Sequence, residues 1–189
     1  MSDSEYYYYH YRQKYYDSCS QINNCEHQIY NLNNERRQVV NRINQLNKDI
    51  RDNQAAIDGL NAVLQREGNL NSRLSVVVNK TNQAATNFSG MVVASNIRSK
   101  SITDVFSSET AKTQNSLNRV WSTLKSKKNS LNARLSNLHT DLKRANANLQ
   151  NIDRSIRQLN SNLSYWRRQK TNNYYNMEYY RKKMMQEAS

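Results

Sequence analysis

The sequence predicts an all-α fold, a long antiparallel helical hairpin that is a two-helix coiled coil. Its 189 residues include no proline and three glycines, so the chain lacks the turn residues that an all-β or α/β fold needs. Apolar residues make up 37% of the chain and the mean hydropathy is −1.01, which leaves too little apolar surface for a compact globule. The frequent tyrosines and the periodic apolar residues also argue against disorder.

Two runs of heptad repeats carry this prediction. In both runs apolar side chains recur at alternating steps of three and four residues, and this spacing is typical of the a and d positions of a coiled coil. The first run has Ile22, Ile29, Arg36, Ile43, Ile50, Ile57, Leu64, Asn71, Val78 and Ala85 at a, and Cys25, Leu32, Val39, Leu46, Asn53, Leu60, Glu67, Leu74, Thr81 and Phe88 at d. The second run has Trp121, Lys128, Leu135, Leu142, Leu149, Ile156, Leu163, Lys170, Met177 and Met184 at a, and Leu117, Leu124, Leu131, Leu138, Ala145, Ile152, Leu159, Trp166, Asn173 and Tyr180 at d.

The heptad frame breaks at the middle of the chain. This stretch holds the last glycine, and Ser101 and Asp104 are residue types that cap the start of a helix. We therefore predict three segments. They are a first long helix with a tyrosine-rich N-terminus over 1–87, a turn region over 88–104, and a second long helix with a basic, tyrosine-rich C-terminal tail over 105–189.

The tyrosines favour a hairpin over the alternative, a continuous rod that dimerises in parallel. Twelve of the thirteen lie in two clusters, one near each end of the chain, and only a fold-back brings the clusters together. They are Tyr6, Tyr7, Tyr8, Tyr9, Tyr11, Tyr15 and Tyr16 at one end, and Tyr165, Tyr174, Tyr175, Tyr179 and Tyr180 at the other.

The register of the hairpin is left open between two alternatives. A turn near Ile97 would place Glu67 opposite Lys128, whereas a turn at Gly90 would place Asn53 opposite Lys128. Polar seam residues of this kind cost stability, but they can fix the register.

The positive charge is concentrated in the second half. The formal net charge is +13, of which residues 91–189 contribute +12. The first interpretation of the basic clusters is a solvated helical face, and the second is a partner with an acidic face. Nucleic acid is an unlikely partner, because the chain has no signature of a known nucleic-acid-binding motif. The candidate partner-facing basic residues are Arg167, Arg168, Lys170, Arg181, Lys182 and Lys183.

The sequence offers no catalytic constellation, and we expect a protein that is not an enzyme. None of the three histidines lies in a nucleophile context, and there is no glycine-rich phosphate loop. The spacing of Cys19 and Cys25 fits no usual metal site, so we expect no metal and no cofactor. The N-terminus lacks the features of a cleavable signal peptide, and no segment is apolar enough to span a membrane.

Two short motifs, placed within the predicted hairpin, resemble the W-x-G superfamily of type VII secretion. Phe88-Ser89-Gly90 lies near the predicted turn, with Phe where the superfamily has Trp. Tyr174 and Glu178 form a Tyr-x-x-x-Glu pattern similar to the superfamily's C-terminal export signal. The longer Gram-positive relatives of the superfamily are similar in a wider pattern, in which Phe88-Ser89-Gly90 is followed by Ile97, Ile102, Phe106, Trp121 and Leu124. These relatives are the small helical proteins that accompany LXG toxins and the helical targeting domains of the toxins themselves.

The resemblance implies a partner or adaptor that helps to export a larger LXG-type effector. The chain would be cytoplasmic before export and then secreted or associated with the cell envelope. Its partner would be another helical hairpin packed alongside, with Phe88-Ser89-Gly90 of one chain beside the Tyr-x-x-x-Glu tail of the other. The alternatives are a self-assembling coiled-coil scaffold without an export role and, ranked lower, a nucleic-acid-binding coiled coil.

The apolar residues outside the seam point to a larger assembly. Val40 and Val63 flank the seam, and Val92, Val93, Val105, Phe106 and the two tryptophans add apolar area. A two-helix seam would leave part of this area exposed, so we expect two hairpins to pack into a four-helix assembly.

Overall fold

The computed structural model is an all-α antiparallel helical hairpin, as the heptads predict. It describes the backbone of residues 2–92 and 99–187, and the side chains of 2–84, 86–87 and 104–187. Three helices follow one another along the chain: α1 spans Asp3–Leu64, α2 spans Glu67–Val92 and α3 spans Ser99–Glu187. No β-strand occurs within the described backbone.

Burial follows the heptad frame. Among the described side chains at the a and d positions, Arg36 alone is exposed, and the others are buried or half-buried. The charge of Arg36 is paired, because its guanidinium donates to the carboxylate of Asp153 at 2.7 Å. The seam predicted from the sequence is therefore the core of the structure.

The chain divides into two units, which are described separately. The terminal unit comprises Met1–Asn47 and Asp141–Ser189, and the central unit comprises Lys48–Thr140. Each unit contains a segment of the first half of the chain and a segment of α3.

In the terminal unit, the start of α1 runs antiparallel to the end of α3. Buried Ile22, Cys25 and Leu163 form its apolar core, against which Ile29, Leu159 and Trp166 pack. The pairing reaches the ends of the helices, where Ser4 Oγ donates to Glu187 Oε1 at 2.6 Å. The ring centroids of Tyr7 and Tyr180 lie 5.0 Å apart, so the fold-back joins the two tyrosine clusters as predicted.

In the central unit, the end of α1 and α2 run antiparallel to the first part of α3. Asn53 Nδ2 donates to the carbonyl oxygen of Leu131 at 2.8 Å, and Lys125 Nζ pairs with Glu67 Oε1 at 2.9 Å. Glu67 therefore pairs with Lys125, three residues before Lys128. Asn53 contacts Leu131, three residues after Lys128. The register falls between the two alternatives that the sequence left open.

The predicted first helix is divided in two at Gln65 and Arg66. The backbone N–H of Arg66 donates to the carbonyl oxygen of Val63, three residues back, which tightens the chain at the end of α1. Gly68, two residues later, lowers the helix propensity of this stretch. Apart from its chain neighbours and the adjacent backbone of its own helix, no atom lies within 4 Å of the position that a Cβ on Gly68 would occupy, so no close approach of another helix explains this glycine.

The helices extend into the predicted turn region from both sides. The backbone of Phe88-Ser89-Gly90 belongs to α2, which ends at Val92, and α3 begins at Ser99 rather than near residue 105. Residues 93–98 lie outside the described part of the chain.

Candidate partner-docking surface

The central unit carries an open apolar groove between α2 and α3. Leucine and valine side chains supply most of its lining, and one arginine lies at its edge. It is lined by Leu70, Arg73, Leu74, Val77, Thr113, Ser116, Leu117 and Val120. Val77 remains 58% exposed and Val120 51% exposed, so the hairpin seam leaves these side chains largely uncovered.

The heptad explains why the groove lies on one side of the seam. In an antiparallel pair of helices, the g positions of both helices flank one side of the seam and the e positions flank the other. The g positions of the central unit include Val63, Leu70 and Val77 before the turn, and Phe106, Thr113 and Val120 after it. The e positions are mostly polar, among them Asn61, Gly68, Ser75, Asn118 and Lys125.

The leucine, valine and phenylalanine g positions are restricted to the part of the central unit nearer the middle of the chain, and the g positions Asp49, Lys127 and Arg134 of the same unit are charged. In the terminal unit the corresponding residues are polar or charged, as expected for a side that stays in water. They include Gln21, Gln28, Glu35 and Arg42 in α1, and Asn148, Ser155, Asn162 and Gln169 in α3.

The groove lies in a basic environment. Residues 48–140 contain thirteen lysines and arginines against six aspartates and glutamates. Arg73 lines the groove, and Lys125 is engaged with Glu67 on the e side of the same unit. A partner whose apolar face is flanked by acidic residues matches this surface better than a neutral or basic one.

The export-like pair Tyr174 and Glu178 lies one helical turn apart on α3, in the terminal unit. The Tyr174 ring lies 6.0 Å from the ring of Tyr15 on α1 and remains partly exposed. Glu178 Oε2 forms an ion pair with Arg181 Nη2 at 3.1 Å. Both residues therefore contact neighbours within the hairpin and still present part of their surface to solvent.

The six candidate basic residues fall into two groups. Arg167 pairs with Glu26 at 2.8 Å, Lys170 Nζ lies 5.7 Å from the ring centroid of Tyr15, and Arg181 pairs with Glu178. These three are engaged within the terminal unit. The other three are Arg168, Lys182 and Lys183, whose side chains are exposed.

The end of the terminal unit has one perturbed carboxyl group. The hydroxyls of Ser4 and Ser2 donate to the carboxylate of Glu187 and lower its pKa below the usual glutamate value, and the charge of Lys183 acts in the same direction. The ionised form of Glu187 therefore favours the pairing of the start of α1 with the end of α3.

The side chains of the predicted turn motif, Phe88, Ser89 and Gly90, lie outside the described part of the chain. Their backbone positions in α2 follow the groove residues of the same helix.

Sequence reasoning identified only part of the groove. It placed the lining residues Leu74 and Leu117 at d positions of the seam but missed Leu70, Val77 and Val120. Val63 and Phe106, which it named, are at g positions on the same side but do not line the groove. The seven-residue spacing of Val63, Leu70 and Val77 was a usable signal. Of the two tryptophans, Trp121 is buried at an a position, and Trp166 is half-buried and packs against the core of the terminal unit.

The described side chains contain no group of three or more histidines, cysteines and acidic residues placed to hold a metal ion. Cys25 is buried in the core of the terminal unit, and Cys19 is half-buried. A search of the described helices for stretches long and apolar enough to cross a membrane finds none.

Comparison of this chain with protein-family models, with curated proteins and with solved structures finds no match.

Proposed function

We propose that the protein is a non-enzymatic interaction protein that docks a helical partner along the groove of the central unit. The observation that carries this proposal is the one-sided row of apolar g positions, with Val77 and Val120 more than half exposed. A second set of helices laid into the groove would cover these residues and complete a four-helix assembly in the central unit.

The proposed occupant is an amphipathic helix, or a helical hairpin, with acidic flanks. Charge supports this choice over a second copy of the chain, because each copy carries a net charge of +13 and the groove lies in a basic unit. Like charges would be brought together in a self-complex, whereas an acidic partner would reduce the repulsion.

We further propose that the partner is a larger LXG-type effector and that the pair leaves the cell by type VII secretion. The support is the resemblance of Phe88-Ser89-Gly90 and of Tyr174 and Glu178 to that system's motifs. In this proposal the chain is made in the cytoplasm and then secreted or held at the cell envelope. Exposed Arg168, Lys182 and Lys183 would meet acidic residues of the partner.

The groove is tested with the helical targeting domain of an LXG-type toxin from the same genome, co-produced with this chain. We expect a stable complex that Val77→Asp weakens by at least about thirty-fold, because the change places a charge in a desolvated interface. Affinity is measured by isothermal titration calorimetry, and circular dichroism checks that the variant remains helical.

Val76→Asp is the matched control. Val76 precedes Val77 on α2 and is 52% exposed, but it does not line the groove. It should leave the affinity within a few-fold. Equal loss in both variants, or no complex with the LXG-type domain, would overturn the docking proposal. Concentration-dependent self-association that Val77→Asp abolishes would instead favour the self-assembling scaffold.

The export step is tested separately by replacing Tyr174 and Glu178 with alanine. We expect the chain and its effector to be retained in the cells while the complex still forms, because an export signal is read by the secretion system rather than by the partner. Immunoblots of culture supernatants and cell pellets measure retention. Tyr175→Ala removes the adjacent exposed tyrosine as a control, and normal secretion of the double variant would contradict the proposal.

A further inference from the structure

We propose that the terminal unit is a site of oxidative dityrosine cross-linking, in which Tyr180 of α3 is joined to Tyr7 of α1. This modification is independent of the groove and of the proposed export role. It rests on ring geometry at the meeting point of the two tyrosine clusters.

Tyr180 lies against two tyrosines of the opposite helix. Its ring centroid is 5.0 Å from that of Tyr7 with an angle of 26° between the ring planes, and 5.8 Å from that of Tyr11 with an angle of 9°. Near-parallel rings at this separation are stacked face to face, so each ring of a pair lies next to the other across the two helices. Dityrosine formation joins one ring carbon beside the hydroxyl of each tyrosine.

Tyrosines that are adjacent in sequence have a different geometry. Tyr6 and Tyr7 meet at 74°, and Tyr179 and Tyr180 meet at 83°. Their centroids are as close as those of the stacked pair, at 5.3 Å and 5.0 Å, but the rings meet edge-on and do not stack face to face. The geometry therefore favours a bond between the helices over a bond within one helix.

Tyr7 is the preferred partner because it combines the shorter distance with access to solvent. Its side chain is 41% exposed, so it can be oxidised from the surface without unfolding of the helix. Tyr11 is half-buried and has Lys14 Nζ 5.9 Å from its ring centroid, which shields one side of the ring.

The chemistry requires an oxidant of the haem-peroxidase class with hydrogen peroxide. Each phenol loses one electron and one proton, and the two tyrosyl radicals then couple through a carbon–carbon bond between ring carbons next to the hydroxyls. Both rings regain aromaticity by transferring these carbons' hydrogens to the phenolic oxygens. Two hydrogen atoms are lost overall, and one hydrogen peroxide is reduced to two water molecules.

The bond would close the open end of the hairpin covalently. It links residue 7 to residue 180 and so holds nearly the whole chain in one loop. A cross-link over so long a loop restricts the unfolded chain far more than the folded one, which is the physical basis of stabilisation by cross-linking.

The test treats dilute full-length protein with horseradish peroxidase and hydrogen peroxide. We expect a monomeric product that is lighter by two hydrogen atoms, shows dityrosine fluorescence and yields a linked peptide pair containing Tyr7 and Tyr180 after proteolysis. The product should also melt at a higher temperature than untreated protein. Tyr7→Phe should shift the link to Tyr11 and Tyr180.

Tyr180→Phe should abolish the links to Tyr7 and to Tyr11 with little change in folding, because it removes only the hydroxyl. Tyr30→Phe is the control, since it removes a 66% exposed tyrosine that takes no part in these stacks, and it should leave the product intact. Products that are mainly intermolecular, links mainly between sequence neighbours, or a yield unchanged by Tyr180→Phe would each overturn the proposal.

Discussion

Two buried asparagines occupy d positions of the seam, one in each unit, and their surroundings differ. Asn53 donates to the Leu131 carbonyl, but its own side-chain oxygen is buried without a partner. Asn173 donates to both the Lys14 carbonyl at 3.3 Å and Ser18 Oγ at 3.2 Å. The first asparagine is therefore under-satisfied, and the second belongs to a connected polar layer.

We expect Asn53→Leu to raise the free energy of unfolding by about 1 kcal/mol, because it removes a buried acceptor that has no partner. The Leu131 carbonyl remains within the hydrogen-bond ladder of α3. Asn173→Leu should lower the free energy of unfolding by about 1 kcal/mol, because Ser18 loses a donor. Urea denaturation followed by circular dichroism measures both, and a loss of stability in Asn53→Leu would contradict this account.

The residue scale also shows where sequence reasoning ends. The polar seam positions Asn53, Glu67 and Asn173 were identified from their heptad positions alone. Their partners were not, because a heptad pattern looks the same after a shift of seven residues. The pairing of Glu67 with Lys125 forms because long side chains can reach diagonally across the seam. The periodicity carries no information about such diagonal contacts.

At the scale of the elements, the junction between α1 and α2 is the main departure from prediction. The heptads run through Gln65 and Arg66 without a change of phase, so the pattern gave no reason to end a helix there. Gly68 was a weak signal, since isolated glycines in helices are often tolerated. α2 also ends later, and α3 begins earlier, than the predicted boundaries of the turn region. The backbone is helical in these stretches although the apolar heptad pattern is interrupted there.

We expect Gly68→Ala to raise the free energy of unfolding by about 0.5–1 kcal/mol, because alanine favours the helix and meets no atom within 4 Å. Gly59→Ala, in the interior of α1, has equally open surroundings and should give a similar gain. Hydrogen exchange should separate the two, since only Gly68→Ala is expected to slow exchange at residues 65–70. Destabilisation by Gly68→Ala would indicate that the junction depends on glycine.

At the scale of the whole molecule, the fold class followed from composition and periodicity, whereas the candidate site followed only in part. Scarce turn residues and two long heptad runs leave few alternatives to paired helices. The groove is formed by the g positions of both helices, in addition to the a and d positions of the seam. The sequence indicates such a groove only once the g positions of the two helices are known to lie on the same side of the seam. The identity of a partner has no comparable signal in one chain.

The antiparallel pairing also orders events during translation. The partners Glu67 and Lys125 are 58 residues apart in sequence, whereas Ser4 and Glu187 are 183 residues apart. Contacts close to the middle of the chain need shorter loops and form first, and the ends follow as in a zipper. At ribosomal rates of roughly 5–20 residues per second, roughly 10–40 s pass between the synthesis of Tyr7 and that of its partner Tyr180.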